Sequence, residues 1–120
     1  MNKPLGVAEC LFCAIAAETV PATRVLDTGR VLAFRDIDPQ APTHVLVIPK
    51  EHHPDVAALA AADAGLLHEV ITQAHQVAVA EGVSGRGYRV VFNTGLQAGQ
   101  TVPHVHAHVL GGRTLTWPPG

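Results

Sequence analysis

The chain predicts an α+β fold, a single domain built on one antiparallel sheet of about five strands with one short and one long helix. Three observations predict it. Apolar residues recur at 3.6-residue spacing over about residues 63–81, and more briefly over 9–18. Extended runs fall at 24–27, 31–35, 44–48 and 88–93, and again after Pro103. The links between successive strands are short, which favours antiparallel pairing over the long crossovers that parallel strands require.

Each element has a local cause. Leu11, Phe12 and Ile15 form the apolar side of the first helix, and Val20-Pro21 ends it. Arg24 to Asp27 is extended, and Asp27-Thr28-Gly29-Arg30 reads as a hairpin turn into Val31 to Arg35. Asp36 to Thr43 is a polar, proline-containing connection. His44 to Ile48 is a strong apolar strand stopped by Pro49. Asp55 to Ala62 is a second, shorter helical start. Asp63 is placed to cap a long helix to about Glu81, with Leu66, Leu67, Val70, Ile71, Ala74, Val77 and Ala78 along one face. Gly82 ends it as a C′ glycine. Tyr88 to Asn93 is a strand, and Thr94 to Val102 is a glycine-containing loop. The domain spans 1–120, with an N-terminal extension over 1–9 and a tail over 114–120.

Composition narrows the function. Nearly half of the 120 residues are apolar, enough for one core, but aromatics are few, so Val, Leu, Ile and Ala must fill it. A formal net charge of −2 gives no basic footprint for nucleic acid or anionic lipid. No apolar run is long enough to span a bilayer. Leu11 to Ala17 resembles a short signal-peptide core, but Glu9 and the helix start argue against that reading, and the expected location is the cytoplasm. Cys10 and Cys13 are too close in sequence to form a useful structural staple. A CxxC in such a chain suggests metal or redox chemistry instead.

The most informative stretch is His104-Val105-His106-Ala107-His108, between Pro103 and the turn at Gly111-Gly112. Read as a strand, it puts the three histidines and Leu110 on one face, and Val105, Ala107 and Val109 towards the core. Neighbouring imidazoles would then be roughly 6.5–7 Å apart. A single ion held by all three is disfavoured, because His104 and His108 would lie about 13–14 Å apart along the strand. A neutral imidazole that attacks phosphorus fits better, with the central His106 best placed. A merely polar strand face is the plain alternative. The preceding loop, Asn93-Thr94-Gly95-Leu96-Gln97-Ala98-Gly99-Gln100-Thr101, carries glycines and short polar side chains that suit an anion such as phosphate.

These residues resemble a known family. The pentad followed by Val109 matches the alternating histidine–apolar signature of the histidine triad family. Phe34-Arg35-Asp36-Ile37, running through Pro39-Gln40-Ala41-Pro42-Thr43-His44 to Val47-Ile48-Pro49-Lys50, resembles its nucleotide-binding half. Gly99-Gln100-Thr101-Val102, Gly111-Gly112-Arg113 and Trp117-Pro118-Pro119-Gly120 look like its nucleotide-binding, purine nucleoside phosphoramidase branch. The resemblance covers roughly residues 10–120.

It implies roles residue by residue. His106 matches the nucleophile, His108 the phosphate or leaving-group contact, and His104 a supporting histidine. His44 matches a histidine packed behind the nucleophile. Asp36 matches the acid that holds the ribose hydroxyls, a task its acceptor oxygens suit. Asn93, Gly99 and Thr101 match phosphate contacts, and Gln100 adds a donor beside them. Thr101 stands where many relatives have serine, so its extra methyl would tighten the leaving-group side. Leu11, Phe12, Ile15, Phe34, Ile37 and Leu46 match the apolar walls around a purine, although a core is built from the same side chains. Some family members bind zinc through a CxxC and two histidines. The matching set is Cys10, Cys13, His52 and His104, with His53 an alternative to His52, and two thiolates with two imidazoles would close a tetrahedral structural site. No metal is implied for catalysis. The resemblance further implies a homodimer with a sheet continued across two chains and Trp117 near the partner's active site.

The expected activity is hydrolysis of purine nucleoside 5′-phosphoramidates, or related aminoacyl adenylates, through a nucleotidyl-histidine, releasing AMP or GMP. A dinucleoside polyphosphate hydrolase of a sister branch is the second enzyme reading, and the Gly-Gly-Arg and Trp-Pro-Pro-Gly tail speaks against it. A module that binds nucleotide without turnover is the non-enzyme reading.

Overall fold

A computed structural model describes residues 9–120, so residues 1–8 of the expected N-terminal extension lie outside the described part. The chain runs α1 (Leu11–Ala16), β1 (Arg24–Asp27), β2 (Val31–Arg35), β3 (Thr43–Pro49), α2 (Val56–Ala62), α3 (Ala64–Ala80), β4 (Tyr88–Val91) and β5 (Ala107–Gly111), with a 3-10 turn at Leu96–Ala98. One sheet holds all five strands in the order β1-β2-β3-β5-β4, and every pairing is antiparallel. The α+β expectation holds.

Alternation along the strands separates two cores. Val31, Ala33, Val45, Val47, Val105, Ala107 and Val109 pack with Leu59, Leu66, Val70, Ala74 and Val77 from α2 and α3. The intervening residues Leu32, Phe34, Leu46 and Ile48 face the other way and pack with Cys10, Phe12, Cys13 and Ile15 around α1. The central β3 is therefore buried along its whole length, which explains its unbroken apolar run. Polar function can reach the α1 side only where histidines replace apolar residues, and β5 and the start of β3 make that replacement.

The caps read from sequence are present. Asp63 Oδ1 accepts from Leu66 N at 3.0 Å, and Gly82 takes a positive φ just after α3. The segment before Asp63 forms its own helix, α2, capped by Asp55 through Ala58 N at 2.8 Å. Asp63 thus ends one helix and begins the next, so three helices stand where two were expected. Ile71 is half exposed rather than facing the core, because the buried stripe of α3 follows Leu66, Val70, Ala74, Val77 and Ala78. No helix among the described residues is long and apolar enough to cross a membrane.

The histidine strand starts later than its sequence suggests. β5 begins at Ala107, and β4 stops at Val91 opposite His108. Ahead of that point the backbone turns to the loop after β3, where Val105 N donates to His53 O at 2.7 Å. That bond replaces the ladder, so residues 104–106 lie outside the sheet, with His104 in a bend.

Candidate active site

The departure of 104–106 from the ladder sends the three histidines to different tasks. The ring centres of His106 and His108 are 5.0 Å apart, closer than neighbours on a straight strand face. The Phe12 ring meets His106 edge-on at 5.0 Å and His104 at 6.0 Å. His104 and His106 are buried, and His108 is half-buried.

Backbone hydrogen bonds assign the ring protons. His106 Nδ1 lies 2.8 Å from the His104 carbonyl, which can only accept. Nδ1 therefore carries the hydrogen, and in the neutral ring Nε2 holds a free lone pair. Gln40 N donates to His44 Nδ1 at 3.0 Å, so the hydrogen of His44 sits on Nε2. His44 Nε2 then donates to His108 Nδ1 at 2.9 Å, which leaves His108 with an Nε2–H. His104 Nε2 donates to the Pro49 carbonyl at 2.8 Å, freeing its Nδ1 lone pair. The site thus pairs a lone pair on His106 with a donor on His108.

Burial keeps the rings of His104, His106 and His108 neutral. It pushes the His108 pKa down to about 4, with His106 and His44 adding repulsion and Asp36 offsetting part. Burial likewise holds His106 below the usual imidazole range, opposed by the His104 carbonyl and Asp36. His104 falls to about 4, again chiefly through burial.

His44 is not packed behind His106, as the resemblance implied. Its hydrogen bond goes to His108, and its Nε2 is also 3.4 Å from Asp36 Oδ2. The cause is register: His44 sits opposite Leu110 on β5, and the next inward-facing pair, Leu46 and His108, brings the two imidazoles together. Asp36 has its Oδ1 engaged by Asp38 N at 2.8 Å, and each oxygen keeps a further lone pair.

The loop before the triad is more tightly tied than its sequence suggests. Gln100 Oε1 accepts from Gly95 N, and Gln100 Nε2 donates to the Pro54 and Val102 carbonyls. Both amide hydrogens are committed, so Gln100 is a staple for the loop and not a free donor. Gly99, at φ +82°, donates its N–H to Leu96 O. Asn93 Nδ2 donates to Ala98 O at 2.8 Å. Each was expected to offer that group to a phosphate. The loop's own turn uses the Gly99 N–H and one hydrogen of the Asn93 amide, so Asn93 keeps a second hydrogen for a phosphate. Thr101 is exposed and has no protein partner recorded among the described residues.

The proposed purine walls divide. Phe12, Ile15, Phe34 and Leu46 are buried together, with Phe12 and Phe34 edge-to-face at 5.4 Å. Leu11 is half exposed, and Ile37 is fully exposed. Ile37 and Asp36 line an open cavity of about 500 Å³ with Pro21, Ala22, Thr23 and Arg35. Pro21, Ala22 and Thr23 carried no motif, and only the β1–β2 pairing brings them there.

Behind the triad, Cys10, Cys13, His52 and His104 converge. His104 Nδ1 lies 3.3 Å from Cys10 Sγ, 3.4 Å from Cys13 Sγ and 3.3 Å from His52 Nδ1, and Cys13 Sγ is 3.4 Å from His52 Nδ1. Bonds near 2.0–2.3 Å in a zinc tetrahedron place neighbouring donors about 3.3–3.8 Å apart, so the residues present fit such an ion. His53 lies outside this group, with Nε2 at 2.7 Å from Glu51 Oε1. Burial, helped by Cys10, raises the Cys13 thiol to about 12. A divalent cation reverses that preference by favouring the thiolate.

Comparison with known proteins follows this geometry. A family model described as HIT domain matches residues 17–115. This chain belongs to the HIT family. An uncharacterized HIT-like protein from Synechocystis sp. is 43% identical over 112 residues, covering 93% of this chain and 97% of its own. The crystal structure of a HIT family hydrolase from Legionella pneumophila superimposes with a TM-score of 0.89 at 51% identity, covering 92% of this chain and 99% of its own. A histidine triad nucleotide-binding protein from Candida albicans superimposes with a TM-score of 0.79 at 28% identity, covering 91% and 82%. In this HIT protein the pentad that gives the family its name is split between the sheet and the loop ahead of it.

Proposed function

We propose that this HIT protein hydrolyses the P–N bond of purine nucleoside 5′-phosphoramidates, and the anhydride P–O bond of related aminoacyl adenylates, through a nucleotidyl-His106 intermediate. One observation carries the reading: the His104 carbonyl holds the Nδ1 hydrogen of buried His106, leaving Nε2 as a neutral nucleophile. The relatives described as a hydrolase and as nucleotide-binding support the class.

The Nε2 lone pair attacks the α-phosphorus as the P–N bond breaks, and the departing nitrogen takes up a proton from solvent. The imidazole becomes cationic while its Nδ1–H stays on the His104 carbonyl, an acceptor already aimed at the charge that develops. His108, held neutral, donates Nε2–H to a phosphoryl oxygen. Water then displaces the nucleotidyl group, giving the nucleoside monophosphate and neutral His106. Asp36 takes the ribose hydroxyls, the Phe12–Phe34 side takes the base, and Thr101 faces the leaving group. Cys10, Cys13, His52 and His104 hold a structural zinc that braces the carbonyl behind the nucleophile and takes no part in bond cleavage.

Turnover of a fluorogenic adenosine phosphoramidate, measured beside a diadenosine polyphosphate, tests the proposal. The phosphoramidate should be the better substrate, and His106→Asn should abolish turnover while AMP still binds. Faster cleavage of the polyphosphate would transfer the protein to the sister reaction. Wild-type AMP binding without turnover of either compound would leave a binding module.

A further inference from the structure

The described cations divide into two groups. Arg24, Arg30, Arg35 and Lys50 each have a carboxylate oxygen within 4 Å. Arg86, Arg89 and Arg113 have none among the described residues, and all three line one cavity of about 690 Å³. This cavity lies where the α3 exit loop, the start of β4 and the chain after β5 come together, and its lining contains no Asp or Glu.

The arginines are positioned without being neutralised. Arg89 Nη2 donates to the carbonyls of Thr116 at 2.9 Å and Leu115 at 3.5 Å. Arg113 places Nε and Nη2 on the Gln40 carbonyl and Nη1 on that of Thr114. Carbonyl dipoles orient these forks but supply no net charge, and N–H groups remain unused on both. Arg86 is exposed and makes no hydrogen bond or ion pair among the described residues. The nearby carboxylate of Glu81 is already bidentate on Arg35, at 2.7 and 3.0 Å. In a chain with a formal charge of −2, the unpaired positive charge of the described residues is thus gathered at one concave site.

We infer that the Arg86–Arg89–Arg113 cavity is a second ligand site, one that takes a small oligophosphate anion. Guanidinium forks match phosphate oxygens in paired hydrogen bonds, and several on one wall suit adjacent phosphates better than a single carboxylate. The volume is that of a small-molecule site. Three arginines with no acidic counterpart are too few for a nucleic-acid track. The cavity shares no lining residue with the one bordered by Asp36 and Ile37, so the two ligands bind without exclusion.

Calorimetric titration of the intact protein with inorganic pyrophosphate, with and without saturating AMP, tests this. One pyrophosphate should bind per chain with the same affinity in both conditions. Arg86→Ser should weaken it by about tenfold or more, and Arg86→Lys by less, because lysine keeps the charge but not the fork. Phosphoramidate turnover should be unchanged in both variants. Pyrophosphate binding that disappears under AMP, or that is equal in wild type and Arg86→Ser, overturns the second site. Absence of binding to the wild type also overturns it, as would follow if acids of a second copy filled the cavity. Failure of AMP to bind would count against the proposed activity and leave this result standing.

Discussion

At the scale of single residues, tautomers decide the chemistry, and backbone groups decide the tautomers. Gln40 N, the His104 carbonyl and the Pro49 carbonyl each fix one imidazole. Histidine spacing exposed the residues involved, but nothing in the sequence shows which ring nitrogen carries hydrogen, because each partner is distant in sequence, as Pro49 is from His104, or belongs to irregular backbone. Gln100 and Gly99 illustrate the converse. Sequence displays donor types, and the fold consumes those donors inside the loop. Asp36 keeps spare acceptor capacity beside His44, which gives a test of its role. Asp36→Asn should weaken ribonucleotide binding by on the order of 1.5–3 kcal/mol, since a hydroxyl donating to a carboxylate makes a charge-assisted bond. Deoxy analogues should lose much less. Equal losses measured by titration for both sugars would exclude Asp36 as the ribose contact.

At the scale of elements, two of the contacts that join α3 and its exit loop to the sheet give tests. A Cβ built on Gly111 would fall 2.9 Å from Val83 Cβ and Cγ2, so β5 and the loop after α3 touch at a glycine because nothing larger fits. Gly111→Ala should cost about 1–3 kcal/mol by overpacking and lower the melting temperature by on the order of 5–10 °C. Adding Val83→Ala should recover part of that loss, since the two sites share one clash. A single variant that melts like wild type would show that the contact relaxes freely. The second contact is Arg35 with Glu81. Arg35 holds the Glu81 carboxyl below its usual range, chiefly by hydrogen bonding. The group with the depressed folded pKa stabilises above its unfolded pKa near 4.5, and that contribution fades as pH falls through the lower folded value. Arg35 is 44% exposed, so solvent screening limits the effect to about 0.5–1 kcal/mol. Glu81→Gln should therefore melt below wild type at pH 7 and level with it in strong acid. A gap that persists at low pH would assign the effect to packing. Helix caps and strand cores were legible at this scale because their signals are local. The start of β5 was not, because it depends on a loop some fifty residues earlier in the chain.

At the scale of the whole molecule, the chain leaves surfaces that a second copy would cover. β4 ends the sheet, and its edge is unpaired among the described residues. Ile71, His75 and Val79 recur at four-residue spacing along α3, and His75 Nδ1 is 2.7 Å from the Tyr88 hydroxyl on β4. Ile71 and Val79 are about half exposed, and Val90 is partly exposed on the same strand. An apolar helix stripe beside an open strand edge is the pattern a two-fold pairing covers, closing edge and stripe together. The expectation of a homodimer thus acquires a specific surface, with β4 against its symmetry mate. The tail gives a second, separable consequence. Trp117 is 83% exposed although it is the chain's sole tryptophan, and Arg89 grips the tail just before it. A large ring displayed from an anchored segment is suited to burial against a neighbouring chain, and the family resemblance implies that this surface lies near the neighbour's active site. Light scattering at micromolar concentration should report a dimer, and Val90→Lys, which puts a charge on the pairing edge, should shift it towards monomer. Deleting residues 114–120 should leave melting nearly unchanged but alter relative turnover across phosphoramidates that differ in the amine. A monomeric wild type would remove the interface. A dimer whose substrate ranking survives the deletion would keep the interface and remove the tail from the leaving-group side.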